Sequence, residues 1–275
     1  MLEVLELSFF QNAIAAGLMV SVTCGIVGTL VVVNRLVFLS GGMAHAAYGG
    51  IGLAFFLGLP YMVGTLGFTI TAAVIVAAIT LKAPHRSDTV IGVLWAVGMA
   101  LGVILIDLTP GYHVDLMSYL FGSILTVSRV ELLQMAAMGV LILAMVGYFY
   151  QEFLALSYDQ EFARLRGVPV TALYILLLCM LALSIVMIIR VVGLILVMAL
   201  LTIPPSIAEK YAGSLWVMML VSVLLSSLFI LTGLWLSYAL NLTSGATIIL
   251  VAGFGFLVSF GLEYLWPNLS ARPVK

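Results

Sequence analysis

Charge is what this chain has least of. Asp, Glu, Lys and Arg make up only 8% of its 275 residues, against about a quarter in an ordinary soluble domain. A water-facing surface cannot be assembled from so few. With a net charge of -1 and no Lys/Arg cluster, no nucleic-acid partner is expected. Cysteine is nearly absent. Cys24 and Cys179 each sit within an apolar run, which reads as two small core thiols and not as a disulfide or a metal pair. No G-x-x-x-x-G-K-[ST] occurs, so ATP is not bound through a phosphate loop. No H-E-x-x-H and no nucleophile–base motif occurs either, which removes an intramembrane hydrolase from consideration. The chain is expected to be no enzyme. Residues 1–13 carry neither a basic n-region nor a small-residue cleavage site, so no signal peptide is expected.

What is present is apolar. Hydrophobic residues make up 64% of the sequence, gathered in uncharged runs near the roughly 20 residues needed to cross hydrocarbon. Spans are expected near 10–33, 43–59, 62–81, 89–108, 129–150, 171–189, 191–205, 215–239 and 245–263. All should be helical, because lipid offers no partner to an open backbone. The seventh is short and stops at Pro204-Pro205, so the count is eight or nine. The expected fold is an all-α, polytopic bundle forming one membrane domain over 1–275. Placing 82–88 and 151–170 in the cytoplasm leaves Arg35, Lys82, Arg86, Arg164, Arg166, Lys210, Arg272 and Lys275 inside. Only Arg129 and Arg190 then fall outside, a positive-inside bias that puts the N-terminus outside.

The longest internal segment, 151–170, carries helix signals. Ser157 with Gln160 has capping-box spacing, and Asp159 is a second cap. A short helix through Phe162 and Arg166 should end at Gly167, with Pro169 stopping continuation. A docking element for another protein is one reading of it; a solvated loop is the other. In the second span, Gly41, His45, Gly49 and Gly52 follow i, i+4, i+8, i+11 spacing and share one helix face. Small residues allow close helix approach in lipid, and an intramembrane imidazole is a candidate functional group and a good transition-metal ligand. A hydrogen bond to a neighbouring carbonyl is the plainer alternative. Asp107, His113 and Asp115 near the outer end of the fourth span could collect a cation, or could simply be loop and cap residues.

The sequence resembles the permease subunits of bacterial ABC importers for zinc, manganese or ferrous iron. Four stretches carry the likeness in order: FLSGGMAHAAYGGIGLAFFLG at 38–58, VDLMSYLFGSIL at 114–125, SYDQEFARLRGVPV at 157–170 and VVGLILVMALLTIPPSIA at 191–208. The resemblance implies a homodimeric pore in the cytoplasmic (inner) membrane, in contact with lipid. It also implies two copies of a separate ATP-binding cassette ATPase and an extracytoplasmic metal-binding protein. A divalent metal ion (Zn, Mn or Fe) would be cargo, with no cofactor held permanently. His45 matches the motif histidine. Ser157, Tyr158, Asp159, Glu161, Phe162, Arg164 and Gly167 fall in the coupling helix that grips the ATPase, with Tyr158 and Phe162 (i, i+4) as its apolar anchor. Gly41, Gly49 and Gly52 are expected to pack helices, in part between two copies. Many members carry an aspartate four residues before the histidine; here Gly41 stands there. Neutral nitrogen donors lean toward zinc over manganese. A permease for metal chelates or vitamins is the runner-up, and an ATPase-independent secondary carrier ranks below it.

Overall fold

The structure is a computed structural model and describes residues 8–110, 122 and 124–265. Among these, every regular element is helical. In chain order they are α1 (Ser8–Val33), α2 (Val37–Leu57), α3 (Tyr61–Lys82), α4 (Ser87–Asp107), α5 (Arg129–Tyr148), α6 (Tyr150–Tyr158), α7 (Gln160–Leu165), α8 (Val170–Tyr211), α9 (Leu215–Leu240) and α10 (Ser244–Leu265), with single 3₁₀ turns at Pro84–Arg86 and Ile124–Thr126.

Among the described residues, eight stretches are long and apolar enough to cross a membrane. Seven belong to α1, α3, α4, α5, α9, α10 and the first part of α8, Val170–Ile189; the eighth is Val191–Tyr211. α2 is not among them, although its 21 residues reach about 30 Å, the thickness of the hydrocarbon core. Its glycines, serine and histidine lower its apolarity. Burial explains how it tolerates them, since Leu39–Ala44 and Ala46–Gly52 are all buried by protein and need not face lipid.

The expectation that the seventh span stops at Pro204-Pro205 is corrected: the helix runs through both prolines to Tyr211. A proline at 205 removes the hydrogen bond that Leu201's carbonyl would accept. That carbonyl lies against Gly28 of α1. A Cβ on Gly28 would also lie 2.9 Å from Pro205 Cγ, so the missing side chain makes room for the proline turn. The break in α8 comes earlier, at Gly193 (φ 80°, ψ 164°), a conformation open essentially to glycine alone.

The chain packs as two compact bodies. The first comprises 1–33, 117–143 and 188–275. Within it α1 crosses α9 at backbone distance, since a Cβ on Gly25 would lie 2.7 Å from Val223 Cα. Thr29 Oγ1 donates to Ser222 Oγ at 3.2 Å across the same crossing. The far end of α8 is tied to α10 by Lys210 and Glu263 at 2.8 Å, with the ammonium 5.4 Å and 5.1 Å from the Phe256 and Phe260 ring centroids. The second body comprises 34–116 and 144–187 and is built on α2, which packs closely on both α3 and α4. A Cβ on Gly64 of α3 would lie 2.6 Å from Ala54 Cβ.

Candidate functional site

α2 is stopped by Gly58 in the left-handed conformation (φ 66°), its N–H turned back to the Ala54 and Phe55 carbonyls, and Pro60 follows. His45 is the ninth residue of α2, so it lies about 12 Å along the axis from the helix start, well inside the helix. The imidazole is half-buried.

Glycines decide what reaches it. A Cβ on Gly98 of α4 would lie 2.7 Å from Ala46 Cα, and one on Gly49 of α2 would lie 2.9 Å from the Gly98 oxygen. One on Gly52 would lie 2.8 Å from Gly102 Cα. The two backbones therefore touch, in the register Gly98 on Ala46 and Gly102 on Gly52. That contact brings the residues flanking Gly98 onto His45. Trp95 stacks on the imidazole with centroids 4.2 Å apart and planes 12° from parallel. Trp95 in turn meets Phe38, about two turns before His45 on the same face of α2, at 6.4 Å. Met99 Sδ lies 3.2 Å from His45 Nδ1. Trp95 and Met99 are half-buried, like the histidine.

The small-residue face is thus consumed inside the subunit. Gly41, Gly49 and Gly52 are buried within one chain, which corrects the expectation that this stripe pairs two copies.

The outer acidic candidates do not join the histidine. Asp107 is exposed at the end of α4, eight residues beyond Met99 and so about 12 Å further along the axis. His113 and Asp115 lie outside the described residues. Among the described residues, no three His, Cys, Asp or Glu side chains come together as a metal-binding group. A cavity of about 320 Å³ on α1 and α5, lined by Leu18, Met19, Val22, Met135, Val140 and Leu143 among others, is almost wholly apolar and offers no charged ligand. Both cysteines are free thiols, and Cys24 is fully buried.

The 151–170 segment forms two short helices with a break at Asp159, which is extended (φ -151°, ψ 94°). Asp159 is the cap: its Oδ1 accepts the Phe162 N–H at 2.9 Å. Ser157 is not, contrary to the capping-box spacing. It lies within α6, where its hydroxyl accepts from Asn34 Nδ2 at 2.9 Å. Tyr158 and Phe162 also fall on different helices, so the i, i+4 argument for a shared face fails. Both are nevertheless about half exposed, and Leu165 is 87% exposed. Phe153, Leu156 and Ala163 are buried beneath them. Gly167 has φ 78°, and its N–H and that of Val168 return to the Arg164 and Ala163 carbonyls at 3.0 Å, the left-handed stop expected there. Glu161 and Arg164 are exposed, and Arg166 covers the Phe162 ring at 4.8 Å. The product is a capped, anchored, outward-facing turn of helix with aromatic and charged residues on display.

The chain as a whole has known relatives. The description "ABC 3 transport family" matches residues 6–263. The chain belongs to the ABC 3 transport family. It is a multi-pass membrane protein and a permease subunit of an ABC transporter. It is similar to a Synechocystis sp. protein described as an uncharacterized membrane protein, 49% identical over 96% of this chain and 94% of the relative. It is also similar to the manganese import system permease protein ScaB of Streptococcus parasanguinis, 33% identical over 93% of this chain and 91% of that one. Among solved structures, PsaBC from Streptococcus pneumoniae in complex with Fab superimposes with a TM-score of 0.85 at 32% identity, covering 94% of both chains.

The sequence singles out His45 but not its neighbours Trp95 and Met99, which lie 50 and 54 positions away. The available signal was Gly98 and Gly102, whose i, i+4 spacing on α4 marks a helix-contact face with Trp95 and Met99 beside it.

Proposed function

We propose that the chain is the membrane-spanning permease of an ATP-driven importer carrying a divalent transition-metal ion into the cytoplasm. Zinc is the leading cargo, and manganese and ferrous iron are the alternatives. Two copies would form the pore in the bacterial cytoplasmic membrane, driven by two ATPase subunits through 151–170 and supplied by an extracytoplasmic metal-binding protein. The observation that carries the reading is His45. A half-buried imidazole midway along an apolar helix is costly against hydrocarbon and belongs on a water-filled path or against protein. In its neutral form it is a transition-metal ligand. Family membership supplies the ABC context, and relatives named for metal transport support the cargo class. The pairing surface of two such copies must be sought away from the glycine stripe, which is already buried.

The manganese reading has its own support in the names of several relatives. ATP-dependent uptake of radioactive zinc and manganese, measured with the permease and its ATPase in proteoliposomes, tests both. Wild type should accumulate metal only with ATP, and His45→Ala should lose most of that uptake while still binding the ATPase. Uptake at the wild-type rate by His45→Ala at limiting metal removes His45 from the path.

A further inference from the structure

The geometry points to Met99 as a second metal-contacting residue. His45 Nδ1 and Met99 Sδ form a two-donor nitrogen–sulfur station that a zinc(II)-like ion occupies in transit and that manganese(II) occupies poorly. This rests on the importer reading and narrows its cargo.

The first support is distance. Zinc–nitrogen bonds run about 2.0–2.1 Å and zinc–thiolate bonds about 2.3 Å, which is the lower bound for a neutral thioether. At the observed separation of 3.2 Å, two such bonds would meet at the ion at about 95°. Opening to the tetrahedral angle requires the atoms to part by only a few tenths of an ångström. Methionine, unbranched and with three rotatable side-chain bonds, absorbs that readily.

The second support is rigidity. Gly98, next to Met99, rests on Ala46, next to His45, at a distance that leaves no room for a side chain. The backbones that carry the two donors are therefore fixed by a contact one residue away. The imidazole plane is held by the Trp95 stack at 4.2 Å. A donor pair held this way is preorganised for one ion, where loose side chains would have to be gathered first.

The third support is the chemistry of the donor set. Both donors are neutral, and one is a thioether. Soft sulfur donors with imidazole suit zinc, whereas manganese favours carboxylate, carbonyl and water oxygens. The position one helical turn before His45 is Gly41, and Asp107 is remote, so no carboxylate from these positions adds the oxygen donor that manganese prefers. Two donors from one chain also make a weak site. A transit station needs that, because an ion held too tightly does not leave.

The test uses the permease with its ATPase in proteoliposomes, with zinc(II) and manganese(II) as separate and competing substrates. Met99→Leu keeps the volume and removes the donor. Loss of outer-shell partners of a metal already costs roughly tenfold or more in affinity; a direct ligand should matter at least as much. Apparent zinc affinity should therefore fall about tenfold or more, and manganese less than twofold. X-ray absorption at the zinc edge of the purified complex should find a sulfur neighbour at bonding distance, about 2.3 Å or longer because the donor is a neutral thioether. In wild type grown on selenomethionine that neighbour should become selenium, a readout that needs no variant to fold. Zinc uptake by Met99→Leu with wild-type affinity, alongside a defective His45→Ala, overturns the inference and leaves the importer standing. So does a zinc spectrum indifferent to selenium, which would mean that Nδ1–H merely donates to the sulfur. Failure of wild type to move either ion overturns the inference and the importer reading together.

Discussion

Gly98→Ala measures the contact on which the site depends. The added Cβ would lie 2.7 Å from Ala46 Cα, 3.0 Å from Ala46 Cβ and 3.3 Å from the Ala46 oxygen. Two of these atoms are backbone and cannot rotate away. Restoring ordinary contact at 3.4 Å requires α2 and α4 to part by about 0.7 Å, from 3.4 less 2.7. Overpacking of this kind typically costs about 1–3 kcal/mol. Alanine also returns up to about 1 kcal/mol because it is the better helix former, which could mask the effect. Gly92 on the same helix supplies the reference, since a Cβ there meets nothing within 4 Å. Gly92→Ala should gain the propensity and suffer no clash. The two variants should therefore differ by about 1–3 kcal/mol, with Gly98→Ala the less stable. Unfolding of each in mixed detergent micelles reads that difference, and metal uptake should fall only in Gly98→Ala, because Trp95 and Met99 move with the helix. If both variants shift stability by the same amount in the same direction, the backbone contact is not as described, and the reasoning that seats Met99 on His45 fails with it.

Two further predictions concern the cytoplasmic segment. Changing Tyr158 and Phe162 together to Ala should release the ATPase or uncouple its hydrolysis from transport, because aromatic side chains about half exposed on an anchored turn are the expected contact anchors. If the double variant co-purifies with its ATPase and transports normally, the contact lies elsewhere, with 204–214 the next candidate. Gly167→Ala meets no neighbouring atom, so its whole effect should come from φ 78°. That should cost about 1–2 kcal/mol, with Asn tolerated better. Thermal melting of the two variants side by side checks the order.

The helices were legible because their cause is local. A run of apolar residues near span length has one backbone solution in lipid, and the observed ends fall within a few residues of the expected ones at Val33, Lys82, Asp107 and Leu240. The errors arose where a local rule met a tertiary one. Pro204 and Pro205 should have ended a helix, and did not, because Gly28 lets a neighbouring helix lie against the turn they disturb. Ser157 had the spacing of a cap, yet Asp159 took the role. Ser157 was drawn into α6 by the buried Phe153 and Leu156, and its hydroxyl was committed to Asn34.

The site was half legible for a related reason. His45 stands out by type alone, since a histidine in a span asks for an explanation. Its neighbours do not, because a tryptophan or a methionine in an apolar run reads as ordinary core filling. What separates Trp95 and Met99 from the other aromatics and methionines is their position beside Gly98, and that glycine acquires meaning only through Ala46, which faces it. Two glycine-bearing faces in different spans constrain each other more tightly than either constrains itself. Gly49 and Gly52 on α2 must find small partners, and Gly98 and Gly102 offer them at a compatible spacing. Matching the two patterns gives the register, and the register sets which α4 side chains lie against position 45. Because a one-residue slip on a helix turns a side chain by about 100°, the alternatives would carry Met99 off His45 altogether. The nitrogen–sulfur pair is therefore a consequence of glycine placement, which is why Gly98→Ala and Met99→Leu should both reduce metal uptake although only one of them removes a donor.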